Sequence, residues 1–164
     1  MTKSNSDRVE LAVQLFKEGY SCAQSVTAAF ADLYGFTRSQ ALKMSASFGG
    51  GIGRMRYVCG AASGMFILAG LDCGTDIAAD TDAKAANYKV VQQLASEFVK
   101  ECGSLVCADL LGLKAPLIPQ GSASLDYTPE QRTEQYYQKR PCVKTVEIAA
   151  EIFANYLENK QSFI

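Results

Sequence analysis

Histidine is absent from all 164 residues of the chain. Without imidazole there is no Cys–His dyad, no Ser–His–Asp triad and no histidine metal ligand. Any bound metal would have to be held by thiolates, carboxylates or backbone oxygens. An excess of charge is missing too: 16 Lys and Arg against 17 Asp and Glu leave a net charge of −1. With no basic cluster, nucleic-acid binding has no electrostatic support. Long apolar runs are also lacking. The longest, Met65 to Leu71, falls far short of the roughly 18 residues that span a bilayer. The opening MTKSNSDRVE has no apolar core of a signal peptide, which points to a cytoplasmic location.

What is present suits one globular domain over residues 1–164. Apolar residues make up 48% and charged residues 20%, and a chain of this length buries about two-thirds of its unfolded surface. Hydrophobic periodicity predicts helices throughout. Ser6 is read as the cap of a first helix with Val9, Ala12, Val13 and Phe16 inward, and Ser21 as the cap of a second carrying Cys22, Val26, Ala29, Phe30 and Leu33. Thr37 starts a third. A buried helix rich in small residues runs from Cys59 to Leu71, and a long one from Asp76 to Lys100 with Tyr88, Val91, Leu94, Ala95 and Phe98 inward. A short turn spans Cys107 to Leu111. Thr128, Pro129 and Gln131 form a capping box for another helix, and Pro141 opens the last one. Residues 113–127, with Pro116 and Pro119, read as an exposed loop, and no stretch reads as a strand. The expectation is an all-α, single-domain compact bundle of six to seven helices.

The chain has six cysteines. In a reducing compartment these are better read as metal-binding, catalytic or buried thiols than as structural disulfides. Four fall at predicted helix starts: Cys22, Cys59, Cys107 and Cys142. The free N–H groups there favour an anion, so lowered thiol pKa values are expected. Cys22 shares a stripe with Val26 and Phe30, and Cys142 with Val146, so both thiols should point inward. Cys73, in a predicted loop, reads as a small apolar residue. Cys102 and Cys107 make a C-x4-C pair, but no C-x2-C knuckle exists. Gly49, Gly50, Gly51 and Gly53, followed by Arg54 and Arg56, lack the P-loop lysine and hydroxyl residue. They read as a tight connection, or as a loop turning backbone N–H groups toward a thiolate cluster. Asp72, Asp76, Asp80 and Asp82 read as a solvated helix start, and Tyr136 and Tyr137 as core edges.

Several of these pieces resemble the C_GCAxxG_C_C family of redox-active proteins. They are Gly19-Tyr20-Ser21-Cys22-Ala23-Gln24, Phe48 to Arg54, Cys59-Gly60-Ala61-Ala62-Ser63-Gly64, Gly103 to Gly112, and Cys142. The chain spells CGAxxG where the family name has GCAxxG. The resemblance implies that Cys22, Cys59, Cys107 and Cys142 are the four defining cysteines; Cys73 and Cys102 fall outside the pattern, and Cys102 is kept as a candidate fifth. Gly49, Gly50, Gly51, Gly53, Gly60 and Gly64 would supply the supporting backbone. No catalytic residue is assigned. Four thiolates match the demand of an iron–sulfur cluster for electron transfer or redox sensing; zinc is the less favoured metal. The alternatives are metal-free thiol–disulfide chemistry with an unidentified redox partner, or a helical interaction module. The resemblance implies a membrane transporter as the module's partner. Whether the four cysteines share one pocket is the geometric test.

Overall fold

The computed structural model describes residues 2–113 and 126–160. Among these residues the fold is all-α. The helices are α1 (Asn5–Lys17), α2 (Cys22–Phe30), α3 (Arg38–Ser45), α4 (Gly60–Cys73), α5 (Thr81–Cys102), α6 (Cys107–Leu110), α7 (Glu134–Lys139) and α8 (Cys142–Glu158). Six of these eight exceed six residues, in line with the six to seven expected. No helix among the described residues is long and apolar enough to cross a membrane. Most of the predicted 113–127 loop, from 114 to 125, lies outside the described residues.

Helix α2 is the centre of the packing, touching α1, α3, α4 and α8. Its sequence explains this, because the seven residues from Ala23 to Phe30 other than Gln24 are all buried. Against it lies α4, whose small residues let the two backbones approach. A Cβ at Gly64 would sit 2.9 Å from the Val26 Cβ and 3.0 Å from the Ala23 carbonyl oxygen. The fully buried Phe16, Phe30, Phe98 and Phe153 fill the remaining core, and Phe30 meets Phe153 edge to face at 5.2 Å. Each such side chain is worth about 3 kcal/mol when removed from water.

Several boundaries differ from the local reading. Ser4, not Ser6, caps α1, because Asp7 three residues on returns a bond to the Ser4 N–H and completes a capping box. After Phe30 the chain tightens into a 3-10 turn, Ala31–Tyr34. That change of pitch turns Leu33 out to solvent. Helix α5 begins at Thr81, where the Asp80 carboxylate caps the Ala83 N–H. Its buried stripe is Val90, Leu94 and Phe98, and Tyr88, on the far side, is exposed. Thr128 opens no helix; the cap is Thr133, before α7. Two long-range bonds explain the delay: the Arg132 guanidinium donates to the carbonyls of Phe16 (3.1 Å) and Tyr20 (3.0 Å). Nor is Asp72 solvated. Its buried carboxylate accepts from Tyr34 (3.0 Å), Tyr156 (2.7 Å) and Lys160 (2.7 Å), tying the ends of α4 and α8 together.

Candidate functional site

Four cysteines from four parts of the chain line one small cavity of about 60 Å3: Cys22, Cys59, Cys107 and Cys142. Ser21 holds the first, its hydroxyl capping the Gln24 N–H while Gln24 returns a bond to the Ser21 N–H. Cys22 is thus the first residue of α2. Cys59 is the residue before α4, Cys107 opens α6, and Cys142 opens α8 after Pro141. All four helix-start placements agree with the sequence reading. Cys22 and Cys142 are half-buried, Cys59 and Cys107 buried, and all are free thiols. Cys73 and Cys102 are not among the cavity's lining residues. Cys73 ends α4 rather than lying in a loop, with its thiol on the Ala69 carbonyl. Cys102 ends α5.

A short stretch of paired backbone joins two of the thiols. Val58 and Val106 form an isolated antiparallel bridge. Around it, the Cys59 N–H donates to Leu105 (2.7 Å), the Cys107 N–H to Tyr57 (2.5 Å) and the Ala108 N–H to Arg56 (3.2 Å). Neither segment carries enough β-pattern to reveal this beforehand.

The glycine run takes an unusual path. Gly50, Gly51, Ile52, Gly53 and Arg54 have positive φ in succession, from 55° to 71°, and Arg56 follows at 64°. Five of the N–H groups here are spent on backbone carbonyls and not on the thiols. Those of Ile52, Gly53, Arg54, Arg56 and Tyr57 donate to the carbonyls of Phe48, Ser47, Gly49, Gly50 and Gly51. The loop contributes a side chain instead: buried Arg56 donates from Nη1 to the Cys107 sulfur at 3.8 Å. Of the six supporting glycines, Gly50 and Gly60 line the cavity itself. A Cβ at Gly60 would lie 2.5 Å from the Cys22 sulfur, and one at Gly51 2.6 Å from the Cys107 Cβ. Gly49 stands equally close to Ser21, Gly64 packs α4 on α2, and Gly53 has open space.

Burial dominates the electrostatics. It pushes up the thiols of Cys59, Cys107 and Cys142, against the lowering expected from their helix starts. The helix-start effect is visible in the Ala61 and Ala62 N–H groups that favour the Cys59 anion, but desolvation outweighs it. A charge on Cys22 raises all three neighbours further, while Arg56 and Arg140 oppose this at Cys107, and Arg140 and Arg132 at Cys142. One thiolate is therefore tolerated more readily than several. Arg132, Arg140 and Tyr136 were not foreseen at the site. Tyr136 is no mere core edge, since both guanidiniums stack on its ring at 4.8 Å. No local pattern marks them, because their role comes from α7 and the residues before it folding back on the end of α1 and the turn that follows.

The raised thiols predict an alkaline loss of stability in the reduced protein. Cys142 is pushed up to about 11 from its ordinary 9.0, by burial first and the Cys22 charge second. Below pH 9 both folded and unfolded states hold the proton, and stability is unaffected. Between 9 and 11 the unfolded chain releases it while the folded chain keeps it, so stability falls as pH rises. After discounting for partial exposure, the loss from Cys142 is roughly 1–2 kcal/mol. Thermal melts from pH 8 to 11 measure it, and Cys142→Ala should flatten that part of the curve. An unchanged slope in the variant would contradict the assignment.

With this geometry in place, the comparison with known families is direct. The family described as "Putative redox-active protein (C_GCAxxG_C_C)" matches residues 20–156. The chain belongs to this family. The C_GCAxxG_C_C match takes in all four cavity cysteines and the glycine loop. No curated protein and no solved structure matches the chain. The family description covers redox activity and leaves metal content open. Among the described residues, no group of three or more Cys, Asp or Glu side chains is arranged to hold a metal ion. The thiols as placed line a common space without forming a ready ligand set.

Proposed function

We propose that this C_GCAxxG_C_C protein is a thiol–disulfide redox protein in which Cys22 exchanges with a partner disulfide and then pairs with a second cavity cysteine. The observation carrying this is the convergence of Cys22, Cys59, Cys107 and Cys142 on one cavity. Negative charge on one cavity cysteine disfavours it on its neighbours. Exchange needs only one thiolate at a time, which suits a site where a second negative charge is disfavoured. Four simultaneous thiolates would work against that repulsion. The Cys22 thiolate attacks one sulfur of the incoming disulfide, whose S–S bond breaks and whose other half leaves as a thiolate. A second cavity thiol, losing its proton, attacks the Cys22 sulfur and expels the first half. The protein has then lost two electrons and two protons, and the partner disulfide has become two thiols.

Mass spectrometry after alkylation tests this. Reduced protein treated with hydroxyethyl disulfide is expected to lose two alkylatable thiols, one of them Cys22, and to regain both with dithiothreitol. Full alkylation of all four after treatment would overturn the reading. Iron, zinc and acid-labile sulfide are measured on anaerobically purified protein in parallel. Stoichiometric iron and sulfide lost on replacing these cysteines would establish the cluster reading in its place.

A further inference from the structure

Beside the thiol cavity lies a second, larger one of about 530 Å3, within the size range of small-molecule sites. The two adjoin, sharing Ser21, Gly50, Arg56, Arg132, Tyr136 and Arg140 in their walls. Four guanidinium groups line the outer cavity, those of Arg54, Arg56, Arg132 and Arg140, against one carboxylate, that of Glu130. This is a strongly positive enclosure in a protein of net charge −1. The counter-charges are thin. Glu130 pairs with Arg140 and stands 3.9 Å from Arg54, and the exposed Asp126 approaches Arg54 at the same distance. Arg132 is spent on backbone carbonyls, which leave its charge uncancelled. The Arg54 Nη1 atom is shielded from solvent and has no hydrogen-bond partner among the described residues. Arg54 and Arg56 also hold left-handed backbone at φ 63° and 64°, a conformation disfavoured for a residue with a Cβ.

We propose that the outer cavity binds a small disulfide bearing two or more carboxylates, and that this anionic disulfide is the exchange substrate of Cys22. The inference rests on the thiol–disulfide reading above. Guanidinium forks suit carboxylates through paired N–H donors, and the six shared residues place a ligand seated there next to the thiol cavity. The chemistry is the exchange already written: the Cys22–S bond to the ligand forms as the ligand's S–S bond breaks. The departing half leaves as a thiolate that takes up a proton. The second cavity thiol then releases the bound half, also as a thiol.

The test compares three disulfides on the full-length reduced protein: dithiodipropionate (a dianion), hydroxyethyl disulfide (neutral) and cystamine (a dication). Each oxidation rate is divided by that of dithiothreitol, a neutral dithiol, with the same reagent, which removes intrinsic differences. The dianion is expected to exceed the neutral disulfide by about tenfold or more, with cystamine slowest, as a positive cavity dictates. That ratio should collapse to about threefold or less in half-molar salt, where charges are screened. Arg54→Gln should collapse it likewise, whereas Arg54→Lys should retain most of it. Equal normalised rates, a faster cystamine, or a ratio indifferent to Arg54→Gln would overturn the proposal. The reagent comparison on the unaltered protein decides the matter even if a variant fails to fold. Oxidation by the neutral disulfide without charge preference removes only the anionic substrate. If no reagent oxidises the cavity thiols, the redox reading of the site falls with it.

Discussion

Replacing Gly51 with alanine is expected to lower stability by about 2–5 kcal/mol. Two penalties add. Gly51 has φ of 71°, which costs a residue with a Cβ about 1–2 kcal/mol. The new methyl would also lie 2.6 Å from the Cys107 Cβ, 2.7 Å from the Tyr57 N and 2.8 Å from the Arg56 Cα. Two of those three atoms are backbone, so no side-chain rotation relieves the overlap, and overpacking of this kind costs about 1–3 kcal/mol. The Tyr57 N–H that donates to the Gly51 carbonyl would be displaced with it. Gly53→Ala is the control. Its φ is 55° but nothing lies within 4 Å of a Cβ, so only the conformational cost of about 1–2 kcal/mol applies. Urea unfolding of both variants gives the difference directly. Equal losses would show that the close approach of the loop to Cys107 is not a real constraint.

Cys22→Ser is expected to abolish reversible disulfide formation in the cavity, while Cys73→Ser and Cys102→Ser leave it intact. Cys22 is singled out by two observations. It opens α2 behind a complete capping box, and it is half-buried whereas Cys59 and Cys107 are buried. A serine hydroxyl keeps the shape but is no nucleophile toward sulfur near neutral pH. The fold should survive, because Gly60 leaves room for the side chain at this position and the hydroxyl is smaller than the thiol. Thiol counts before and after oxidation, with a melting curve on the same samples, separate chemistry from stability. A disulfide forming at the normal rate between two of the remaining cavity cysteines would remove Cys22 from the centre of the scheme. Cys73 and Cys102 serve as internal references because neither lines the cavity.

Much of the fold was legible locally. Ser21 and Thr37 cap the helices predicted for them, and Gly35 and Gly103 end helical segments with left-handed φ. These signals depend on neighbours within four residues, which is why they survive into the structure. Failures occurred where a distant partner outweighed a local preference. Thr128-Pro129 has good capping chemistry, yet Arg132 holds that segment against Phe16 and Tyr20. Asp72 looked solvated until Tyr34, Tyr156 and Lys160 closed around it. The thiol acidities went the other way from the helix-start expectation, since a sequence shows where a helix begins but not how deeply its first turn is buried.

By itself, the sequence determined that the chain is helical, that it has no imidazole chemistry, and which four cysteines stand at helix starts. Those conclusions follow from composition, short-range capping and the 3.6-residue period. Only the tertiary structure decided that Cys22, Cys59, Cys107 and Cys142 share one cavity, and that Arg132 and Arg140 stand over it. The convergence depends on α4 closing on α2 across Gly60 and on residues 56–59 pairing with 105–108. Both are contacts between segments more than thirty residues apart, whose stability comes from packing and backbone hydrogen bonds that no local pattern encodes.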